Sequence, residues 1–291
     1  MSPRPAPGQE FILTLSCPDA PGLVHAVSGF LLNHGGNILA SQQFDDRLSG
    51  RFFMRVHMEF TRPAPTLEAL RHGFAEVATQ HAMDFEFIDI ATPTRTLIMV
   101  SKFGHCLNDL LYRSRMGTLN IEIPLIVSNH PDYAALAASY DIPYIHLPVT
   151  RETKPEAEAE LLRLIREHAI ELVVLARYMQ VLSEDTSREL SGRAINIHHS
   201  FLPSFKGAKP YHQAHDRGVK LIGATAHYVN DDLDEGPIIE QDVVRVDHTF
   251  EADDMVTAGR DVETQVLARA VQWHSERRVM PNGARTVVFR S

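Results

Sequence analysis

The stretch Ile195-Asn196-Ile197-His198-His199-Ser200-Phe201-Leu202-Pro203-Ser204-Phe205-Lys206-Gly207 says most about how this chain folds. It begins as an apolar strand, predicted over Ala194 to Ile197, and continues with polar residues where that strand ends. In open α/β sheets, ligands bind at the carboxyl ends of the strands. Because side chains alternate along a strand, Asn196 and His198 are predicted to point to the same face and to converge on one ligand.

The flanking sequence alternates between strand and helix signals. Strands are predicted at Thr96 to Val100, Ile121 to Val127, Pro143 to Leu147, Leu172 to Leu175 and Leu221 to Val229, and helices from about His105, near Pro131 to Ser139, from Lys154 to His168 and from Phe250 to Ser275. This alternation favours a Rossmann-like α/β domain with a mostly parallel sheet covered by helices. We expect this domain to span residues 95–291.

The first ninety or so residues have a different order of elements. The pattern predicts a strand from Phe11, a helix with Leu23, Val27, Phe30 and Leu31 on one face, a hairpin of Asn37 to Phe44 with Phe52 to Met58, a helix from Thr66 to Gln80 and a strand from Phe85 to Ile90. This βαββαβ order is the ferredoxin-like arrangement, expected over residues 9–92. The segment Ala91 to Arg95, which contains Pro93, is predicted to be the linker.

The composition limits the classes of function. The chain has 291 residues, with 28 Lys and Arg against 37 Asp and Glu, so its net charge of −9 disfavours a broad nucleic-acid-binding surface. Cys17 and Cys106 lie far apart, which argues against a disulfide framework or a thiolate zinc site and favours the reducing cytoplasm. We expect no signal peptide in Met1 to Gln9 and no membrane-spanning segment.

The turn Asp19-Ala20-Pro21-Gly22-Leu23, together with Gly35-Gly36-Asn37 after the first helix, resembles the ACT domain family of regulatory modules. The alternative is that Pro21 and Gly22 only begin a helix. The resemblance implies an amino acid or similar effector bound between paired domains, and hence a homo-oligomer. The sequence does not name the effector, its sign or the number of subunits.

A second polar segment, Asn230-Asp231-Asp232-Leu233-Asp234-Glu235-Gly236-Pro237, follows the strand that begins at Leu221. A loop so rich in carboxylates is typical of metal or acid/base chemistry. For Asp231, Asp232 and Glu235 individually, a solvated turn with side-chain-to-backbone hydrogen bonds is the better interpretation.

Asn196-Ile197-His198, the run from Ser200 to Gly207, and His227 with Asp234-Glu235-Gly236 together resemble the formyltransferase family that works on 10-formyltetrahydrofolate. The resemblance implies that Asn196, His198 and Asp234 are the catalytic residues and that the folate is a substrate, with no separate cofactor. The remaining substrate-binding residues that it implies are Met179, Gln180, Val181, Leu182, His227 and Asn230. Met179 to Leu182 would surround the pterin, although Gln180 departs from the basic residue often found there.

Elementary chemistry assigns a role to each catalytic candidate. Hydrolysis of a formamide develops negative charge on the carbonyl oxygen, and the leaving amine must be protonated. Asn196 can donate its amide hydrogens to that oxygen, and a protonated His198 can assist. Asp234 can hold His198 protonated, orient the attacking water and transfer its proton.

Sixteen histidines require that a metal site be considered, with His198, His199, His212, His215 and His227 as candidate ligands. No HExxH or His-plus-Cys pattern accompanies them, so we predict no metal. His199, Lys206 and Lys209 receive no role from the sequence.

The choice between hydrolase and transferase depends on features outside the three catalytic candidates. Ser101-Lys102-Phe103-Gly104-His105-Cys106-Leu107 contains one glycine, whereas transferases that accept a phosphorylated glycinamide have a more Gly-rich loop there. An ACT-like module ahead of this domain, with little sequence after the last helix, is the arrangement of family members that hydrolyse 10-formyltetrahydrofolate.

We therefore expect hydrolysis to tetrahydrofolate and formate, which balances the one-carbon pool for purine biosynthesis. One alternative is formyl transfer to a small amine acceptor. The other is a regulatory protein that binds folate without turnover. The sequence does not indicate whether polyglutamylation of the folate matters.

Overall fold

The computed structural model describes residues 8–60, 64–203 and 210–290. The chain forms two compact units. The first contains residues up to 92 together with 276–280 and 287–291, and the second contains residues 93–275 and 281–286. The end of the chain thus groups in part with the first unit, while the expected domain bounds of 9–92 and 95–291 stay a prediction.

The first unit has the βαββαβ order that the sequence predicts. Its elements are β1 (Gln9–Pro18), α1 (Leu23–Asn33), β2 (Gly36–Asp46), β3 (Arg51–Phe60), α2 (Leu67–Gln80) and β4 (Asp84–Asp89). The four strands form an antiparallel sheet in the order β2-β3-β1-β4. The ferredoxin-like fold class is therefore confirmed.

The helices of this unit pack their apolar residues into a core with β1, β3 and β4. α1 buries Leu23, Val27, Phe30 and Leu31, the four residues that its periodicity predicts. The rings of Phe30 and Phe74 lie 5.0 Å apart in an edge-on arrangement, so aromatic packing joins the two helices.

A second apolar cluster of the first unit involves the end of the chain. Phe53 of β3 packs with Val287 and Phe289, and Met280 lies against the same cluster. These residues belong to a hairpin of β12 (Val279–Asn282) and β13 (Arg285–Val288), or follow it directly. The sequence analysis did not predict this hairpin.

The second unit is an α/β sheet domain. Its elements are β5 (Thr94–Val100), α3 (His105–Arg115), β6 (Ile121–Ser128), α4 (Ala134–Ala138), β7 (Tyr144–His146), α5 (Lys154–Glu167), β8 (Leu172–Leu175), α6 (Glu184–Glu189), β9 (Ala194–His198), α7 (Pro210–Asp216), β10 (Leu221–Tyr228), β11 (Ile238–Arg245) and α8 (Ala252–Ser275). The seven strands have the order β11-β10-β9-β8-β5-β6-β7. The pairs from β9 to β7 are parallel, and β10 is antiparallel to both its neighbours. The mostly parallel sheet is thus confirmed.

Two boundaries differ from the predicted ones. Thr94 and Arg95, assigned to the linker, belong to β5, because buried Thr94 pairs with Ile121 of β6. The fourth helix covers only Ala134–Ala138, which is shorter than the predicted span. Within the described part of the chain, no helix combines the length and the apolar character needed to span a membrane.

Candidate active site

A cavity of about 290 Å³ opens where β8 and β9 end. The nine residues that the sequence analysis selected all line it: Met179, Gln180, Val181, Leu182, Asn196, His198, His227, Asn230 and Asp234. Asn196 and His198 come from β9, and His227 pairs with Asn196 across the β9–β10 register. The β9–β10 pairing therefore brings the His227 side chain beside Asn196.

The turn after β10 positions Asp234. Its φ of 59° lies in the left-handed region, which Asp and Asn tolerate better than most residues. Gly236 follows, and a Cβ atom there would lie 1.7 Å from the carbonyl oxygen of Tyr228. Only glycine allows the backbone of the turn to come this close to Tyr228, so Gly236 keeps the turn packed against the end of β10. Asp231, Asp232 and Glu235 are exposed, as their interpretation as turn residues predicts.

Asp234 and His198 form a hydrogen bond in the cavity. Nδ1 of His198 lies 3.2 Å from Oδ2 of Asp234, whose side chain is 12% exposed. Burial acts to raise the pKa of Asp234, but the hydrogen bond and positive charge of His198 outweigh it, so the pKa lies below its ordinary value. Asp234 is thus a carboxylate at neutral pH, and His198 donates Nδ1–H to it. Nε2 of His198 is buried and has no hydrogen-bond partner.

His227 orients the amide of Asn196. Nδ1 of His227 lies 2.9 Å from the carbonyl oxygen of Tyr228, which can only accept, so Nδ1 carries the proton. Burial lowers the pKa of His227 and keeps the ring neutral, which leaves Nε2 as an acceptor. Nδ2 of Asn196 lies 3.2 Å from that atom and donates to it. One amide hydrogen of Asn196 remains for a ligand in the cavity.

The other half of the cavity is more apolar. Met179, Val181 and Leu182 line it together with Leu175 and Val229. The backbone N–H of Met179 donates to Oγ of Ser101 at 3.0 Å. Ser101, which directly follows β5, in turn donates to Oδ1 of Asn129 at 2.7 Å. These two hydrogen bonds hold the backbone of Met179 in place at the start of the apolar segment.

The segment after β9 is held against β10 by side-chain hydrogen bonds. Leu202 N–H donates to Oγ1 of Thr225 at 3.0 Å, and Thr225 donates to the carbonyl oxygen of Ser200 at 2.9 Å. Gln241 of β11 donates to the carbonyl oxygen of Leu202. The rest of the motif, with Lys206 and Lys209, lies outside the described residues.

A second buried group of polar side chains, which sequence reasoning missed, centres on Glu263 of α8. Its side chain is 1% exposed. Nε2 of His105 lies 2.7 Å from Oε2, the hydroxyl of Tyr211 donates to Oε1 at 2.7 Å, and Nε of Arg177 lies 3.3 Å from Oε2. Burial acts to raise the pKa of Glu263, but these partners outweigh it and lower the pKa.

Within the described residues, His105, Cys106 and Glu263 bring three potential metal-ligand atoms within 4.8 Å of one another. None of them belongs to the histidine set considered for zinc. Both oxygens of Glu263 already accept from other side chains, and burial, followed by the charge of Glu263, raises the pKa of the Cys106 thiol well above its ordinary value. The donor set therefore fits internal hydrogen bonding better than a cation.

Arg177 and His199 both line the cavity and link the Asp234 site to the polar group around Glu263. Arg177 has a left-handed φ of 63°, and its guanidinium lies 5.6 Å from the ring centroid of Phe103. The His199 ring lies 5.2 Å from that of His198 and 6.3 Å from that of Tyr211. Burial, then the charges of Arg177 and His198, lower the pKa of His199 to about 3, so His199 is neutral at physiological pH.

Comparisons with known proteins give a consistent result. Residues 94–271 match the formyl transferase family model, and residues 11–71 match the ACT domain model. The chain is 56% identical over 279 residues to a formyltetrahydrofolate deformylase of Corynebacterium sp. strain P-1, covering 96% of this chain and 98% of the relative.

Solved structures agree. A formyltetrahydrofolate deformylase from Burkholderia mallei has a TM-score of 0.93 at 55% identity, covering 97% of this chain and 100% of that one. A second from Pseudomonas syringae pv. tomato has a TM-score of 0.94 at 47% identity, covering 97% and 95% respectively.

Proposed function

The chain belongs to the formyltetrahydrofolate deformylase family and hydrolyses 10-formyltetrahydrofolate to tetrahydrofolate and formate, and we propose that Asn196, His198 and Asp234 carry out this reaction. One observation carries the proposal. An ionised, largely buried carboxylate contacts an imidazole beside an oriented amide, and all three side chains line one cavity. Buried titratable groups that converge in a cavity are typical of catalytic sites.

The reaction balances without an additional reagent. The oxygen of water bonds to the formyl carbon, the bond from that carbon to N10 breaks, and N10 takes a proton. Formic acid loses its proton to give formate, so one proton is released for each turnover. No electron is transferred and no group carrier is required, which supports the expectation that the folate is the substrate and that no separate cofactor takes part.

Asn196, His198 and Asp234 each have a separate role in the proposed reaction. Asn196 donates its remaining amide hydrogen to the formyl oxygen, where negative charge develops as water adds. Nε2 of His198 is the second donor to that oxygen, since Nδ1 is occupied by Asp234. The Asp234 carboxylate attracts positive charge on His198, orients the attacking water and accepts its proton for transfer to N10.

The apolar half of the cavity is the proposed pterin site. Met179, Val181 and Leu182 offer the apolar surface that a flat heterocycle needs, and Gln180 and His227 border it. Oδ1 of Asn230 is buried and has no hydrogen-bond partner within the described part of the chain. It is therefore suited to accept from a pterin N–H, because a buried acceptor without a donor is costly.

The remaining expectations belong to the same proposal. The ACT match supports a small-molecule effector, such as an amino acid, at the first unit, and pairing of those units would make the enzyme a homo-oligomer. We place the enzyme in the cytoplasm, where formate release would balance the one-carbon pool for purine biosynthesis. The net charge of −9 supports small-molecule partners over nucleic acid.

Incubation of the purified protein with 10-formyltetrahydrofolate and no amine tests this function. We expect formate and tetrahydrofolate in equal amounts. Asn196→Ala should lower kcat by about a hundredfold to a thousandfold, as expected for loss of a donor to the oxyanion. Turnover that requires an added amine would identify a formyltransferase, and folate binding without turnover would identify a regulatory protein. Full activity of Asn196→Ala would leave the hydrolase but contradict the proposed site.

A further inference from the structure

We propose that Arg177 and His199 form a subsite for formate, the anion that the reaction releases. The inference rests on the proposed hydrolysis and concerns a part of the cavity beside the three catalytic residues. Arg177 and His199 line the same cavity as Asn196, His198 and Asp234. Neither Arg177 nor His199 has a role in the reaction as described above.

The first observation is the hydrogen-bonding state of Arg177. Its side chain is only 9% exposed, yet Nε and Nη1 are buried without a hydrogen-bond partner among the described residues. A buried guanidinium normally donates most of its five N–H groups, and leaving a charged donor unsatisfied costs more than a neutral one. Arg177 also lines the cavity, so a small oxygen-rich anion there would lie beside the guanidinium.

The neighbours of Arg177 do not satisfy this need. Glu263 approaches Nε at 3.3 Å, but its oxygens already accept from His105 and Tyr211 at 2.7 Å. Phe103 contributes the face of its ring, which attracts the charge but accepts no ordinary hydrogen bond. Arg177 is thus held between a carboxylate and a ring, and its planar donor group remains suited to the two oxygens of a carboxylate.

His199 supplies the second side of the subsite. Its ring lies 5.2 Å from the ring of His198 and faces the Tyr211 ring at 6.3 Å. Because burial and the charge of Arg177 keep it neutral, it offers one N–H donor without adding a second cation. The subsite therefore lies next to the side chain at which the formyl oxygen is expected to bind.

The chemistry of the reaction explains the need for a cation here. Cleavage of the bond to N10 leaves a one-carbon carboxylate beside the Asp234 carboxylate, and two close negative charges in a buried cavity repel each other strongly. Arg177 offsets this repulsion. The second source of a carboxylate is the glutamate part of the folate, but a subsite beside His198 lies at the reacting end of the substrate.

Product inhibition of the wild-type enzyme tests the subsite. Added sodium formate should inhibit hydrolysis saturably, and sodium acetate at equal ionic strength should inhibit much less because the methyl group enlarges the anion. In Arg177→Met, the inhibition constant for formate should rise by about tenfold or more, the loss expected for a charge-assisted contact. Arg260→Met is the matched control, since Arg260 lies 5.5 Å from the same Phe103 ring but is exposed and outside the cavity.

A binding measurement separates the possible outcomes. Carbon-13-labelled formate should show line broadening with the wild-type protein and none with Arg177→Met, or with Arg177→Gln if the Met variant does not fold. An Arg177 variant that raises KM for 10-formyltetrahydrofolate but leaves formate inhibition unchanged would assign Arg177 to the glutamate and overturn the subsite. Wild-type enzyme that produces formate but neither binds nor is inhibited by it would also overturn the subsite, while the proposed hydrolysis would stand.

Discussion

Asp234 and Glu263 are two carboxylates of the second unit that solve the same electrostatic problem in different ways. Both are largely buried, and both have a pKa below the ordinary value because cationic or hydrogen-bonding partners outweigh the effect of burial. The oxygens of Glu263 accept hydrogen bonds from His105 and Tyr211, and Nε of Arg177 lies 3.3 Å from Oε2 as the counter-ion. Asp234 faces the cavity and contacts two imidazoles, at 3.2 Å and 3.8 Å.

A low pKa and burial are therefore not enough to identify a carboxylate that takes part in the reaction. Glu263, the more deeply buried of the two, is surrounded by donors and has no surface left for a substrate. Asp234 retains access to the cavity and can exchange a proton with water or with a leaving amine. We therefore expect substitutions of Asp234 to act on the rate and substitutions of Glu263 to act on folding.

The largest effect should come from Asp234→Asn. The isosteric amide cannot accept a proton or attract charge on His198, so kcat should fall by about a hundredfold to ten-thousandfold with little change in KM. The thermal unfolding midpoint should remain near that of the wild type. Glu235→Gln, an exposed neighbour in the same turn, should change neither quantity. Near wild-type kcat in Asp234→Asn would show that the Asp234 carboxylate is not required for the reaction.

Glu263→Gln should have the next largest effect, on stability. Removal of the charge leaves Arg177 buried without its counter-ion, so the free energy of unfolding should fall by about 3–5 kcal/mol. Denaturant titration measures this loss. Asp261→Asn, exposed two residues earlier on α8, should change the free energy by less than about 0.5 kcal/mol. An unchanged denaturation midpoint in Glu263→Gln would show that the cluster does not stabilise the fold.

His227→Phe tests whether His227 orients the Asn196 amide beside Asp234. Loss of the acceptor releases the Asn196 amide from its orientation, and kcat should fall by about a hundredfold at most, the effect of a misplaced group. His227 acts through Asn196, so the double variant His227→Phe/Asn196→Ala should be no slower than Asn196→Ala alone. Additive losses in this cycle would show instead that His227 acts on the substrate directly.

At neutral pH the smallest effect is that of His199, whose contribution appears only in acid, as a pH dependence of stability. Its folded-state pKa of about 3 lies below the ordinary value of 6.5, so the unfolded state binds the proton first as pH falls. His199 therefore lowers the free energy of unfolding as pH falls from 6.5 to 3, by up to about 1.4 kcal/mol per pH unit. His199→Asn should flatten this slope, whereas His248→Asn, at an exposed position, should not. Equal slopes in all three proteins would contradict the assignment.

Much of the fold follows from local patterns in the sequence. β8 has the predicted bounds, and α1 buries the predicted residues, because a continuous apolar run and a helical stripe are strong signals. The strand β11 was not predicted, because its burial is irregular and it is an edge strand with a register shift beside His227. The six-residue helix α6 is too short to show a period.

The two carboxylate sites also differ in how well local sequence patterns predict them. The sequence analysis selected Asp234 through a family resemblance, and the structure places its side chain against His198 and His227. Glu263 lies in a polar stretch of α8 where an acidic residue suggests a solvated face, and its partner His105 is 158 residues away. Only the packing of α8 against α3 and α7 shows that Glu263 is buried. Arg177 was missed for the same reason.

The left-handed backbone at Arg177 and Asp234 has a consequence for laboratory evolution. This conformation costs about 1–2 kcal/mol in a side-chain-bearing residue, and glycine would relieve the cost. At position 177 the gain is outweighed, because loss of the guanidinium would leave Glu263 buried without its counter-ion. A selection for heat tolerance alone would therefore favour glycine at position 234. Such a library would become enriched in durable proteins that have lost the carboxylate facing the cavity, so thermal selection of this enzyme must be coupled to a screen for released formate.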